Sequence, residues 1–234
     1  MAGLTLSPRL SAIAAQVPQG ARLTDVGTDH AYLPTALLLA GRIHQAEATD
    51  VNERPLRRGR ETATLYGVSE RINFQLRDGL DGIRGPETDT VVIAGMGGEL
   101  IARILERAPW TREKLLLLQP MTAQAELRQW LTGHGYAIQG ETLVREGEKF
   151  YQILRVQGGE ARPYTQGELW AGRQRQGEES PHRLDFLTQL IQRRRRALAG
   201  MAFSAKTLPE ELQQMEALVE ELEDMREEWS RWRR

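Results

Sequence analysis

The stretch "GYAIQGETLVREGEKFYQILRVQ", residues 135–157, decides how the sheet of this protein ends. Strand-forming residues run up to and away from a tight turn at Glu146, Gly147 and Glu148, the mark of two antiparallel strands. Upstream the pattern differs, with short apolar runs alternating with helical stretches. Strands are expected at 21–26, 43–49, 71–76, 89–94 and 115–119, and helices near 33–41, 53–66, 97–107 and 122–133. An amphipathic opening helix carrying Leu10, Ile13, Ala14 and Val17 comes before them. Such alternation predicts an α/β fold, a parallel sheet covered by helices. "DTVVIAG" (89–95) and "KLLLLQP" (114–120) are nearly continuous apolar runs, as central strands buried on both faces require. Dinucleotide dehydrogenase folds continue their parallel strands through helical crossovers, and a closing hairpin departs from that scheme.

From about residue 160 the character changes. "GGEARPYTQGELWAGRQRQGEES" (158–180) has little apolar content, and two helical patterns follow it. Leu184, Leu187, Ile191 and Leu198 form one narrow seam, and Leu208, Leu212, Met215, Val219 and Leu222 form another. The intervening "AGMAFSAKTLP" can turn the chain back, so an antiparallel coiled-coil hairpin is expected. The reading divides the chain into an α/β domain, 1–158, and a helical coiled-coil domain, 159–234.

Composition narrows the function classes. The 234 residues are 40% hydrophobic and 27% charged with a formal net charge of -1, a globular balance without the strong basic excess of a dedicated nucleic-acid binder. Contact with nucleic acid would therefore be a local patch. Zero cysteines exclude disulfides, thiolate zinc sites and cysteine nucleophiles, and four scattered histidines speak against a catalytic metal. The N-terminus lacks a basic start followed by an apolar run, and no segment reaches the ~18 apolar residues of a membrane span. The expectation is a cytoplasmic protein with no membrane or metal partner, a monomer unless the coiled coil pairs with a second copy.

The chemistry gathers at the strand ends. In "TDVGTDHAYLP" (24–34), Gly27 can make a tight turn and let backbone approach a ligand. The following helix offers free amides. Asp50 ends the next strand, about where such folds place an acid to bind a ribose diol, and Asp78 with Gly79 follows the third. Each aspartate alone reads equally as a strand terminator or helix cap; three at consecutive strand ends favour a binding site. "IAGMGGELI" (93–101) delivers Gly95, Met96, Gly97 and Gly98 to the same rim, where flat backbone can face a planar group. A close strand-to-helix turn would need one glycine, hardly three. Gln119 and Pro120 end the next strand, with an amide able to read a heterocycle edge or simply close the strand.

"DVGTDHAYLP" (25–34), "DGL" (78–80), "AGMGG" (94–98) and "LQP" (118–120), followed by the helical tail, resemble the bacterial tRNA (adenine-22-N1)-methyltransferase family known as TrmK. The closing hairpin is likewise similar to the class I, Rossmann-like fold of S-adenosylmethionine-dependent methyltransferases. The likeness spans essentially the whole chain. One departure stands out: family members can carry asparagine after "QP", where this chain has Met121.

The resemblance implies S-adenosylmethionine as methyl donor and an adenine of tRNA as acceptor. It places Asp25, Gly27, His30, Tyr32, Asp50, Asp78, Gly79, Ala94 and Gly95 around the cofactor. Met96, Gly97, Gly98, Gln119 and Pro120 fall on the substrate side. Adenine N1 already carries an in-plane lone pair, so alignment is the main requirement. A carboxylate beside the base would stabilise the charge that develops, and Asp29 is the candidate, its alternative role being the N-cap of the next helix. The target base would have to rotate out of its stack. Arg193 to Arg196, the terminal "WSRWRR", and Arg54, Arg57 and Arg58 are candidates for gripping phosphates, against the alternative of solvated helix surfaces. Other acceptors, or a non-catalytic RNA-binding module, are the competing readings. A nicotinamide oxidoreductase is disfavoured, because the loop lacks the second and third glycines.

Overall fold

The computed structural model describes residues 4–204 and 207–233. They fall into two compact units, one reaching Arg162 and the other beginning at Pro163.

The first unit is built on one seven-stranded sheet. Its strands are β1 (Leu23–Val26), β2 (Ala46–Asp50), β3 (Ile72–Leu76), β4 (Thr90–Gly97), β5 (Leu115–Thr122), β6 (Tyr136–Glu146) and β7 (Lys149–Gly158). They lie in the order β3-β2-β1-β4-β5-β7-β6. The first five are parallel, and β7 enters antiparallel to β5 and β6. The order reverses between β1 and β4, which opens a crevice at their carboxyl ends where folds of this kind bind ligands. The expected hairpin is there: Glu146 faces Lys149 across a two-residue turn, and Gly147 takes a φ of +58° that favours glycine.

Helices α1 (Pro8–Gln16), α2 (Tyr32–Leu39), α3 (Glu53–Leu65), α4 (Gly98–Arg107) and α5 (Gln124–Gly133) cover the sheet. Leu23, Val92, Leu115 and Leu117 pack in one cluster with Ile13 and Val17 of the first helical segment and Leu33 and Leu37 of α2. Their strand neighbours Val91, Ile93, Leu116 and Leu118 are equally buried, and strand alternation turns them to the opposite face. Each such leucine or valine contributes about 1.5–3 kcal/mol on burial, so the apolar runs read from sequence become the middle of the sheet.

Element edges move by a few residues from the expected ones. The largest difference is at 94–98. β4 does not stop at Ala94 but continues through Gly97, with Gly95 looped out at a φ of +84°. β5 extends correspondingly to Thr122, because the bulge lets the two strands keep pairing past the irregularity.

The second unit has three helices, α6 (Gln166–Ala171), α7 (Arg183–Ala202) and α8 (Pro209–Trp232). No apolar periodicity announces α6, a six-residue helix begun by a Thr165–Glu168 capping box. Trp170 and Ala171 of α6 join Leu187, Leu190 and Ile191 of α7 and Leu218, Leu222 and Met225 of α8 in a small core. Two seam assignments shift. Leu208 precedes α8 and is exposed, whereas Met225 and Trp229 carry the buried stripe two turns further than expected. Arg195 bonds Glu223 at 2.6 Å along the α7–α8 pair. Among the described residues no helix is long and apolar enough to cross a membrane.

Candidate active site

The turn after β1 is stitched to its neighbours by backbone. Gly27 N and Thr28 N both donate to Thr49 O at the end of β2, at 2.8 and 2.9 Å. Thr49 Oγ1 donates to Gly79 O at 3.1 Å, and Arg77 N donates to Asp50 O at 2.9 Å. The three acidic strand ends are thereby gathered along one rim. Their side chains do different things.

Asp25 is buried, 8% exposed, and its Oδ2 accepts from Thr28 Oγ1 at 2.7 Å. Burial pushes its carboxyl up to about 6, with the Thr28 hydroxyl pulling the other way. Asp50 Oδ1 accepts from Asn52 N at 2.8 Å, a local turn that leads into α3 and leaves Oδ2 for a ligand hydroxyl. Asp78 is exposed and bonded to Arg107 Nη1 at 2.8 Å, which holds its carboxyl below the ordinary range. Gly79 takes a φ of +62° and lies against Ile104 of α4, so it is a packing glycine of the same loop. Val51 and Leu76 are exposed apolar side chains at the ends of the paired strands β2 and β3. The sequence reading passed over them. Their signal was an apolar residue at a strand end whose neighbours are polar, the kind of surface on which a heterocycle can lie.

Asp29 does not cap α2. The residue preceding that helix is Ala31, at a φ of +51°, and no side chain bonds the helix start. His30 is left-handed as well, at +63°, so two successive residues other than glycine sit in a costly conformation, a state found where a site demands it. The turn is held from below. A side chain at Gly59 of α3 would collide with Phe74 and crowd Ala31, so the glycine lets α3 lie close. The result is a cluster at the rim. His30 Nε2 is 3.6 Å from Asp29 Oδ1, and Arg58 Nη1 is 3.8 Å from the same oxygen and 3.5 Å from the imidazole nitrogen. His30 also stacks on Tyr32, ring centres 5.2 Å apart. Asp29 remains 66% exposed, so its second oxygen is available to a substrate.

On the β4 side, Met96 reaches across to Gly27, where a Cβ would meet its terminal methyl. Ala94 and Gly95 lie beside them on β4, Gly95 exposed at the bulge. Three residues expected on the substrate side are buried in this structure. Gly98 is enclosed: a side chain there would strike the backbone carbonyl of Ala123, so this glycine serves the packing of α4. Gln119 is 0% exposed, and its Oε1 accepts from Arg9 Nη1 at 2.6 Å. Pro120 is buried as well, and Met121 takes the exposed place at that rim. Gly97 keeps a partly open backbone beside Thr122.

The arginine run of α7 is also partitioned. Arg194 lies over the Trp170 ring at 4.2 Å, Arg195 pairs with Glu223, and Arg193 bonds Gln189, so three of the four are engaged in the helical unit itself.

A protein-family model described as a methyltransferase domain matches residues 6–154. The chain is 36% identical over 159 residues to the tRNA (adenine(22)-N(1))-methyltransferase of Bacillus subtilis (strain 168), with 67% of each covered. Among solved structures it matches a Streptococcus pneumoniae protein, assigned to tRNA (m1A22) methylation and solved with S-adenosyl-L-methionine. The TM-score is 0.83 at 33% identity, over 95% of this chain and 100% of that one. It matches the B. subtilis m1A22 tRNA methyltransferase TrmK at a TM-score of 0.77 and 29% identity, over 98% and 99% of the two chains. With a sheet that turns antiparallel at its end, acidic ends on three parallel strands and these relatives, the chain belongs to the bacterial tRNA (adenine-22-N1)-methyltransferase family.

Proposed function

We propose that this protein methylates N1 of an adenine in tRNA, position 22 by its family, using S-adenosylmethionine. The observation that carries the reading is the meeting of Gly27 and Met96 at the switch point of the sheet. It sets a turn that has no side chain of its own and is packed by the Met96 methyl between the acidic ends of β2 and β3 and the glycine bulge of β4. The residues present fit the donor. Asp50 has a free carboxylate oxygen for ribose hydroxyls, and Val51 and Leu76 offer apolar surface to an adenine. When bound, S-adenosylmethionine supplies an electrophilic methyl group on a sulfonium.

This chain's own contribution is alignment and electrostatics. Adenine N1 needs no base to become a nucleophile, so holding it in line with the methyl group is the larger task. Its methylation leaves a cationic base, and Asp29, held by His30 and Arg58 with one oxygen exposed, is placed to stabilise that charge. The adenine has to leave its stack to reach the rim.

Incubation with S-adenosylmethionine and unmodified tRNA, followed by nucleoside mass spectrometry, should reveal 1-methyladenosine. A folded tRNA that gains no methylated nucleoside rejects the activity. Asp29→Ala should cut the methylation rate by about 10²-fold while S-adenosylhomocysteine affinity stays within about threefold. A rate close to wild type would leave Asp29 without its proposed part.

A further inference from the structure

Arg9 belongs to no motif of the sequence. It sits in the first turn of α1, and the fold carries it to the β4–β5 side of the site. Its Nη1 donates to Gln119 Oε1 at 2.6 Å, and its guanidinium carbon lies 5.5 Å from the centre of the Tyr151 ring. Glu146, at the hairpin turn, is 4.0 Å from Arg9 Nε and accepts from the Arg9 backbone amide at 3.5 Å. A Cβ on Gly95 would stand 3.6 Å from Arg9 Nη1. One guanidinium thus links α1 to the end of β5 and to the tips of both hairpin strands, and it lies beside the bulge of β4.

This convergence has a direction. The acidic ends of β2 and β3 occupy the donor's side of the switch point, which leaves the ends of β4 and β5 for the acceptor. Gln119 is enclosed there, and an amide can point either way. The charged donor of Arg9 takes the oxygen, so Nε2 is turned to Pro120 O at 3.0 Å and Met121 Sδ at 3.5 Å. The course of Pro120 and the exposed Met121 is set by that choice. Glu146 offsets the guanidinium charge, so a base that becomes cationic meets a near-neutral pair.

We propose that Arg9 is a positioning residue for the acceptor base. Acting through Gln119, beside the Gly95 bulge, it holds the β4–β5 end of the site in the arrangement that aligns the reacting nitrogen. The role rests on the N1-methylation reading above.

The test uses the full chain with Arg9→Ala, Arg9→Lys, Gln119→Leu and the Arg9→Ala/Gln119→Leu pair. Single-turnover methylation of tRNA is measured together with S-adenosylhomocysteine affinity by calorimetry. Arg9→Ala should slow methyl transfer by about 30- to 100-fold, the scale of an ångström of misalignment, with affinity held within about threefold. Arg9→Lys, which keeps a donor for Gln119, should recover at least about a tenth of the wild-type rate, and the double variant should be no slower than Arg9→Ala by more than about threefold. Affinity falling in step with rate, additive losses in the pair, or a rate for Arg9→Ala within about threefold of wild type would each overturn the proposal while wild type remains active. Wild type that makes no 1-methyladenosine removes the underlying reading, and the proposal falls with it.

Discussion

The terminal methyl of Met96 occupies the space that a side chain on Gly27 would need, so the turn after β1 and the end of β4 meet across a residue that has none. Gly27 also takes a φ of +75°. Gly27→Ala combines a left-handed alanine, at about 1 kcal/mol, with displacement of the Met96 side chain. S-adenosylmethionine affinity by calorimetry should fall about 10-fold or more. Adding Met96→Ala should return only the steric share, and full recovery would mean that the backbone conformation is irrelevant.

Asp50 carries two duties that substitution can separate. Its Oδ1 receives Asn52 N and shapes the entry to α3, while Oδ2 is open. Asp50→Asn keeps an acceptor for the turn but loses the charge, and Asp50→Ala loses both. Calorimetry should show about 10-fold weaker S-adenosylmethionine binding for the asparagine variant and a larger loss for alanine, as expected for charged hydrogen bonds worth about 1.5–3 kcal/mol. Equal affinity in all three proteins would remove the ribose role.

Asp25 should leave a pH signature on stability. Burial raises its folded carboxyl to about 6 from an ordinary 3.8, so the folded state holds the proton more tightly than the unfolded chain. The stability this group contributes is present in full below the ordinary value, declines as pH rises to about 6, and is then constant, a difference of at most about 3 kcal/mol. Denaturant unfolding of ligand-free protein should find Asp25→Asn more stable than wild type at pH 8, and a gap much reduced at pH 4. A gap independent of pH would place the proton elsewhere.

Arg54 and Arg57 are exposed in the first half of α3, close to the Asp29 cluster. Neither side chain pairs with a carboxylate among the described residues, whereas Arg60 on the same helix pairs with Glu53 at 2.8 Å. Cations near a helix N-terminus are unfavourable in isolation, which suits a surface that receives phosphate. Reversing both to glutamate should weaken tRNA binding and lower the slope of log affinity against log salt by about 1.5–2, leaving S-adenosylhomocysteine binding unchanged. An unaltered slope would move the tRNA contact to another face.

Sequence by itself determined the layers and the motifs. Apolar runs at 89–95 and 114–120 can only be central strands, the alternation before them requires a parallel sheet, and the turn at Glu146 to Glu148 reverses the last strands. These are local and periodic properties, carried by neighbouring residues. Asp25, Gly27, Asp50 and Asp78 were legible for the same reason, because strand ends are visible in a periodic pattern. Burial and long-range partners were decided only by tertiary structure. Nothing within several residues of Gln119 shows that a guanidinium 110 positions away closes over it. Nor does the run "AGMGG" reveal that Gly95 loops out of a continuing strand while Gly98 is pressed against Ala123. Asp29 reads in the sequence either as a carboxylate facing the site or as a helix cap, and only the left-handed His30 and Ala31, held close to α3 by the absence of a side chain at Gly59, take it off the helix start and set it beside Arg58. Contacts between distant segments depend on how the sheet order brings strand ends together, and no window of the chain contains that information.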